Sequence, residues 1–153
     1  MRGLCLIVAM AAGLIALTNH RAEAAAPSER AIVPLGAWYG QYSGDGEREF
    51  IVVHSSRQFA VLAASLPAGR ALPSFDEAKE TALAVYLGQR PTGGYGVRLI
   101  SAQVEAGVMR VHVAERRPPP DSFTTQALTT PFAIFVFAGP SQKIDVLWDT
   151  DER

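Results

Sequence analysis

The chain reads as an α+β fold: a single small domain whose antiparallel β-sheet has one main helix packed on it. Three observations predict this. The apolar residues between Glu49 and Trp148 fall mainly into short β-branched and aromatic runs bounded by Gly, Pro or Ser, the mark of strands. One stretch, Ser55 to Leu66, instead spaces its apolar residues at helical intervals. The length, 153 residues, supports one well-formed core rather than two.

The first residues read as a leader rather than as fold. Arg2 supplies a short positive start, Gly3 to Leu17 is apolar or small throughout, and Ala22-Glu23-Ala24 gives the small-x-small pattern of a signal-peptidase site. Cleavage is expected after Ala24, because the next frame would place Pro27 directly behind the cut. The apolar run of about 15 residues falls short of the roughly 20 a membrane span needs. The expected organisation is a signal peptide at 1–24, a linker at 25–34 and the domain at 35–153. Export to the periplasm or medium follows, with no stable membrane insertion once the leader is removed; an uncleaved anchor is the alternative. Cys5, the sole cysteine, precedes most of the apolar run, so it is not placed for lipidation. The mature domain then has no disulfide, no cysteine nucleophile and no thiolate metal site. The net charge is -1, and about -2 without the leader, which offers nucleic acid no attraction.

Glycine and aromatic residues alternate loosely from Leu35 to Gly46 and suggest an edge strand followed by a turn. Glu49 to His54 reads as a strand. Ser55 and Ser56 then cap a helix carrying Phe59, Leu62, Ala63 and Leu66, which Pro67 to Gly69 ends. Ser74 with Glu77 forms a capping-box pattern for a short turn. Thr81 to Leu87 is apolar throughout, as expected of a strand in mid-sheet with a helix over it. A turn at Arg90 to Gly96 follows. Tyr95, Val97 and Leu99 alternate into a hairpin that turns at Glu105-Ala106-Gly107 and returns through Met109, Val111 and Val113, with Arg98, Arg110 and His112 on the wetter face. A bulge near Ser101-Ala102 accounts for Ile100 and Val104 falling out of phase. Pro118 to Pro120 form an extended connection. Phe132 to Ala138 is an aromatic strand, and Ile144 to Trp148 is expected to pair back as the last one. The expected core comprises Phe50, Val52, Phe59, Leu62, Leu83, Val85, Leu87, Val97, Leu99, Val111, Val113, Ile134 and Val136.

Little here carries catalysis. His54 and His112 lack metal-ligand spacing, and Ser55 and Ser56 lack the Gly-x-Ser-x-Gly elbow that sharpens a serine nucleophile. The carboxylates are scattered, and a domain this small seldom builds the deep cleft that paired-acid glycosidases need. Gly93-Gly94-Tyr95-Gly96 has neither a Walker lysine nor a following helix to receive phosphate. No catalytic residue, metal or cofactor is expected.

The run from Leu83 to Phe137 resembles the PrcB C-terminal domain family. The resemblance rests on Leu-Ala-Val-Tyr-Leu-Gly-Gln-Arg-Pro-Thr-Gly-Gly-Tyr-Gly-Val, on the later Val-His-Val-Ala-Glu with its proline-rich loop, and on Thr-Gln-Ala-Leu-Thr-Thr-Pro-Phe-Ala-Ile. Phe132 stands where that family frequently has tyrosine. The family takes its name from a non-catalytic subunit that a secreted protease complex needs in order to assemble or persist. The resemblance implies an exported, non-enzymatic accessory domain with a protein partner, a protease being the natural candidate. Its partner-binding loop would comprise Arg90, Thr92, Gly93, Gly94 and Tyr95, together with Thr129, Thr130 and Phe132 from the neighbouring segment. A looser similarity links the loop from Arg90 to Tyr95 with the wedge of chagasin-like cysteine-protease inhibitors, which lends an inhibitor as the alternative. A purely structural domain, in which the loop is only a turn, is the third reading.

Overall fold

β4 (Glu80–Leu87) and β7 (Phe132–Ala138) form the centre of the molecule, and their sequences show why. In the computed structural model, which describes residues 30–149 apart from 45, 67–71, 73 and 141–142, both strands are buried on both faces. Leu83, Val85, Leu87, Ala133, Phe135 and Phe137 point to one side and Ala82, Ala84, Tyr86, Phe132, Ile134 and Val136 to the other. A strand covered twice has no polar face to alternate, so both read as continuous apolar runs.

The two sides belong to different cores. β4 and β7 lie within a four-stranded sheet in the order β2 (Gly36–Gly40), β7, β4, β3 (Arg48–Val53). A second sheet runs in the order β1 (Arg30–Ala31), β5 (Gly96–Glu105), β6 (Val108–Arg116), β8 (Lys143–Asp149). Between them Val97, Met109, Val111, Val113 and Ile144 meet the inner face of β4 and β7. The outer face is roofed by α1 (Ser56–Ser65), whose Phe59 and Leu62 pack on it with Leu66. The small Ala82 and Ala84 lie beneath that helix. Phe75 stacks on Phe59 at 4.7 Å between ring centroids.

This architecture corrects the expected single antiparallel sheet. It is a mostly β sandwich of two sheets with one short helix. The expected final pairing changes with it. β7 already has β2 and β4 on its two flanks, so the chain crosses to the other sheet, where β8 runs parallel to β6 from Val108↔Lys143 to Ala114↔Asp149. The expected linker 25–34 is described from residue 30, where Arg30 and Ala31 pair with Val104 and Gln103. Residues 1–24, read as a signal peptide, lie outside the described residues.

Local chemistry settles most other elements as expected. Ser55 caps α1, its Oγ accepting from the Gln58 amide, and Glu77 reaches the same end to accept from the Ser56 amide at 2.7 Å. Ala106 and Gly107, at φ 48° and 81°, make the two-residue turn of the β5–β6 hairpin. The bulge falls at Ile100, between the pairs Leu99↔Val113 and Ser101↔His112. Of the expected core, Phe50 is the exception at 47% exposed, because β3 is an edge strand whose inner face the second sheet does not fully cover.

Candidate functional site

Two loops close one end of the sandwich, and they are tied to each other. Arg90 and Thr129 exchange backbone hydrogen bonds of 2.8 and 3.0 Å, and the Gly93 amide donates to the Thr125 carbonyl at 2.8 Å. Thr129 Oγ1, buried, donates to the Thr92 carbonyl at 2.8 Å. On the far side of Thr129, Thr130 Oγ1 accepts from the Ser43 amide at 2.8 Å. The Phe132 ring lies against Gly40, where a Cβ would collide with it. The eight expected loop residues are therefore gathered in one place, but unequally presented. Gly93, Thr129 and Phe132 are buried, Arg90, Thr92, Tyr95 and Thr130 are partly so, and Gly94 is exposed. Tyr95 packs against the inter-sheet core, and its carbonyl accepts from Gln41 Nε2 at 3.0 Å.

Gly94 is the residue the turn demands. Its φ of +86° is a conformation L side chains rarely adopt, and a Cβ there would stand 2.9 Å from Pro118. The glycines thus bring the loop against the proline-rich connection.

Arg90 is anchored through its side chain as well. Its guanidinium donates to Glu115 Oε2 at 2.6 Å, Arg48 donates to the same oxygen at 2.9 Å, and Arg117 lies 3.6 Å from Oε1. Arg48 also sits 4.6 Å over the Trp148 ring, so the cluster spans β3, β6, β8 and the loop. Burial alone would push the Glu115 carboxyl up. The hydrogen bond and charge of Arg90, with the charges of Arg48 and Arg117, outweigh that and hold it below the usual carboxylate range. Glu115 was not singled out from the sequence, yet a signal was there. It follows Val111 and Val113 at strand spacing, and an acid on the core face needs a cation to meet it.

On the neighbouring flank, β2 and the first half of β5 border an open cleft of about 500 Å3, lined by Tyr39, Gln41, Val97, Leu99 and Arg116 among others. Gln41 Oε1 is buried there and has no hydrogen-bond partner among the described residues.

The residues weighed for catalysis sit on separate elements. His54 follows β3 in one sheet, whereas His112 lies in β6 of the other. Ser55 serves as the helix cap, and Ser56 Oγ donates to the Phe75 carbonyl at 3.4 Å. Among the described residues no group of three or more His, Cys, Asp or Glu could hold a metal ion. No helix among them is long and apolar enough to cross a membrane.

The fold and this end of it thus define a helix-roofed β-sandwich whose central strand, tight glycine turn, hairpin and threonine-rich return form one packed unit. Residues 81–138, from the second residue of β4 to the end of β7, match the family model described as PrcB C-terminal, so that stretch is similar to the PrcB C-terminal domain family. β1 to β3, α1 and β8 lie outside the matched stretch. No curated protein and no solved structure matches the chain.

Proposed function

We propose that the chain is an exported, non-enzymatic accessory domain that binds a protein partner, a protease in the first instance, and supports its assembly. The family match supports association with a protease complex. The observation that carries the binding reading is at the loop pair. Phe123 is fully exposed and Leu128 is 62% exposed, on a segment that backbone hydrogen bonds at Thr125 and Thr129 fasten to the glycine turn. Apolar side chains displayed on a fastened loop lose little freedom on binding, which is the economy an interface anchor needs. In this reading Arg90, Thr92 and Tyr95 build the platform, and Pro91, Gly94, Phe123 and Leu128 meet the partner.

Affinity capture from a periplasmic or culture extract tests it. The wild-type chain should retain a protease that the Phe123→Ala/Leu128→Ala chain does not. Identical retained proteins from the two would overturn the reading.

A further inference from the structure

β3 is the terminal strand of its sheet and pairs with β4 alone. Among the described residues no other strand runs alongside it. The ladder decides which of its backbone groups face outward. The Leu87 amide donates to the Pro131 carbonyl, so the odd-numbered residues of β4 turn toward β7 and the even-numbered ones toward β3. Those even-numbered residues meet Glu49, Ile51 and Val53, which leaves the amides and carbonyls of Arg48, Phe50 and Val52 on the open side. Among the described residues none of these three hands its amide or carbonyl to another element.

What this edge displays is apolar on both faces. Phe50 is half exposed on the inner face, where the second sheet stops short of it, and Ile51 is exposed on the outer one. There Ile51 and Val53 line an open groove of about 440 Å3 with Val61, Tyr86 and Arg57, the last two turns of charge and ring lying beside the strand's end. An unpaired edge with large apolar side chains on it is one that proteins cover. The same outer face carries opposite charges at its two ends: Glu47 just before β3, and Arg57 on α1 just after it. Both are exposed, and neither makes an ion pair among the described residues. A second β3, laid antiparallel, answers all of these features at once. With Phe50 opposite Phe50, outward-facing residues oppose outward-facing ones, and Arg48 of each copy faces Val52 of the other. Glu47 then faces Val53 of the other copy, the end at which that copy's Arg57 stands, and the two-fold axis makes this contact twice.

We propose that two copies of this chain associate through β3, antiparallel about Phe50, so that their β2-β7-β4-β3 sheets become one continuous sheet with both α1 helices on the same face. The inference goes beyond the accessory reading and does not depend on it.

Sedimentation equilibrium of the purified chain tests it. The mass should move from one chain toward two between about 5 and about 500 µM, as mass action requires of a modest interface. Phe50→Lys should hold the mass at one chain over that range and leave the melting temperature of the dilute chain unchanged, since Phe50 is half exposed. Arg57→Glu should weaken association about tenfold at low salt, and adding Glu47→Lys to it should bring the constant back to within about threefold of wild type. Cross-linking reads the register. In a chain carrying Cys5→Ser, Phe50→Cys should join two copies by a disulfide under mild oxidation, because its Cα would lie about 5.5 Å from its mate's, and Ile51→Cys should not. A mass fixed at one chain, association that survives Phe50→Lys, no rescue by the double exchange, or equal cross-linking of the two cysteine variants would each overturn the proposal.

Discussion

On one flank of the sandwich Arg48 of β3 covers Trp148 of β8, and on the other β2 lies beside the first half of β5. On the β3–β8 flank charge is spent internally: Arg48 bridges to Glu115 at 2.9 Å and covers Trp148, while Arg90 brings the glycine loop to the same carboxylate. On the β2–β5 flank an open cleft lies beside the two strands, with Gln41 Oε1 lacking a hydrogen-bond partner among the described residues and an arginine at 116 that no acid among them meets. Arginines of the same chemistry thus do different work: Arg48 and Arg90 clasp Glu115, whereas Arg116 stands exposed. The difference teaches where to look for a partner, because a charge already neutralised inside the fold gains little by meeting another.

The comparison can be broken most forcefully at Glu115. Replacing it with Ala leaves Arg90, only 17% exposed, without its counter-charge, and should cost about 2–3 kcal/mol in denaturant unfolding. Gly94→Ala comes next, at about 1–3 kcal/mol, since it combines a strained φ with the approach to Pro118. Gly93→Ala should cost less, because a Cβ there meets the flexible Thr125 side chain at 3.3 Å.

Acid titration sharpens the same point. The Glu115 carboxyl is held below its unfolded value, so its stabilisation is fully present above the unfolded value of about 4.3 and is lost as pH falls through the lowered folded one. The stability gap between wild type and Glu115→Gln should therefore be constant near neutrality and close in strong acid. A gap that widened with acid would contradict the clasp. The two arginines complete the series. Arg48→Ala should cost about 0.5–1 kcal/mol, for its exposed ion pair and its contact with Trp148. Arg116→Ala should stay within about 0.5 kcal/mol of wild type.

How much of this the sequence disclosed depends on whether the deciding force was local. The helix cap, the Ala106-Gly107 turn and the bulge are local, and alternation made the β5–β6 hairpin readable; the bulge was misplaced by only a residue. β4 announced its double burial through its unbroken apolar run. Sheet membership is not local. Ile144, Val146 and Trp148 show a half-buried strand, but nothing in them says that it lies parallel to β6 rather than against β7. Phe50 looked like core because its spacing with Val52 was right, whereas its exposure depends on how far the other sheet reaches. The loop residues were found as a group because glycine and proline mark a turn by their own chemistry. Which of them are held in the fold is set by Glu115, Thr125 and Pro118, all distant in sequence from Arg90 to Tyr95.

The difference between the flanks is tested most directly by amide hydrogen exchange on the purified chain, wild type against Glu115→Gln. Faster exchange along Arg48 to Val53 and Lys143 to Asp149, with 36–40 and 96–100 unchanged, is the result the two-flank account predicts. Faster exchange at 36–40 and 96–100 instead, or on neither flank, would contradict it.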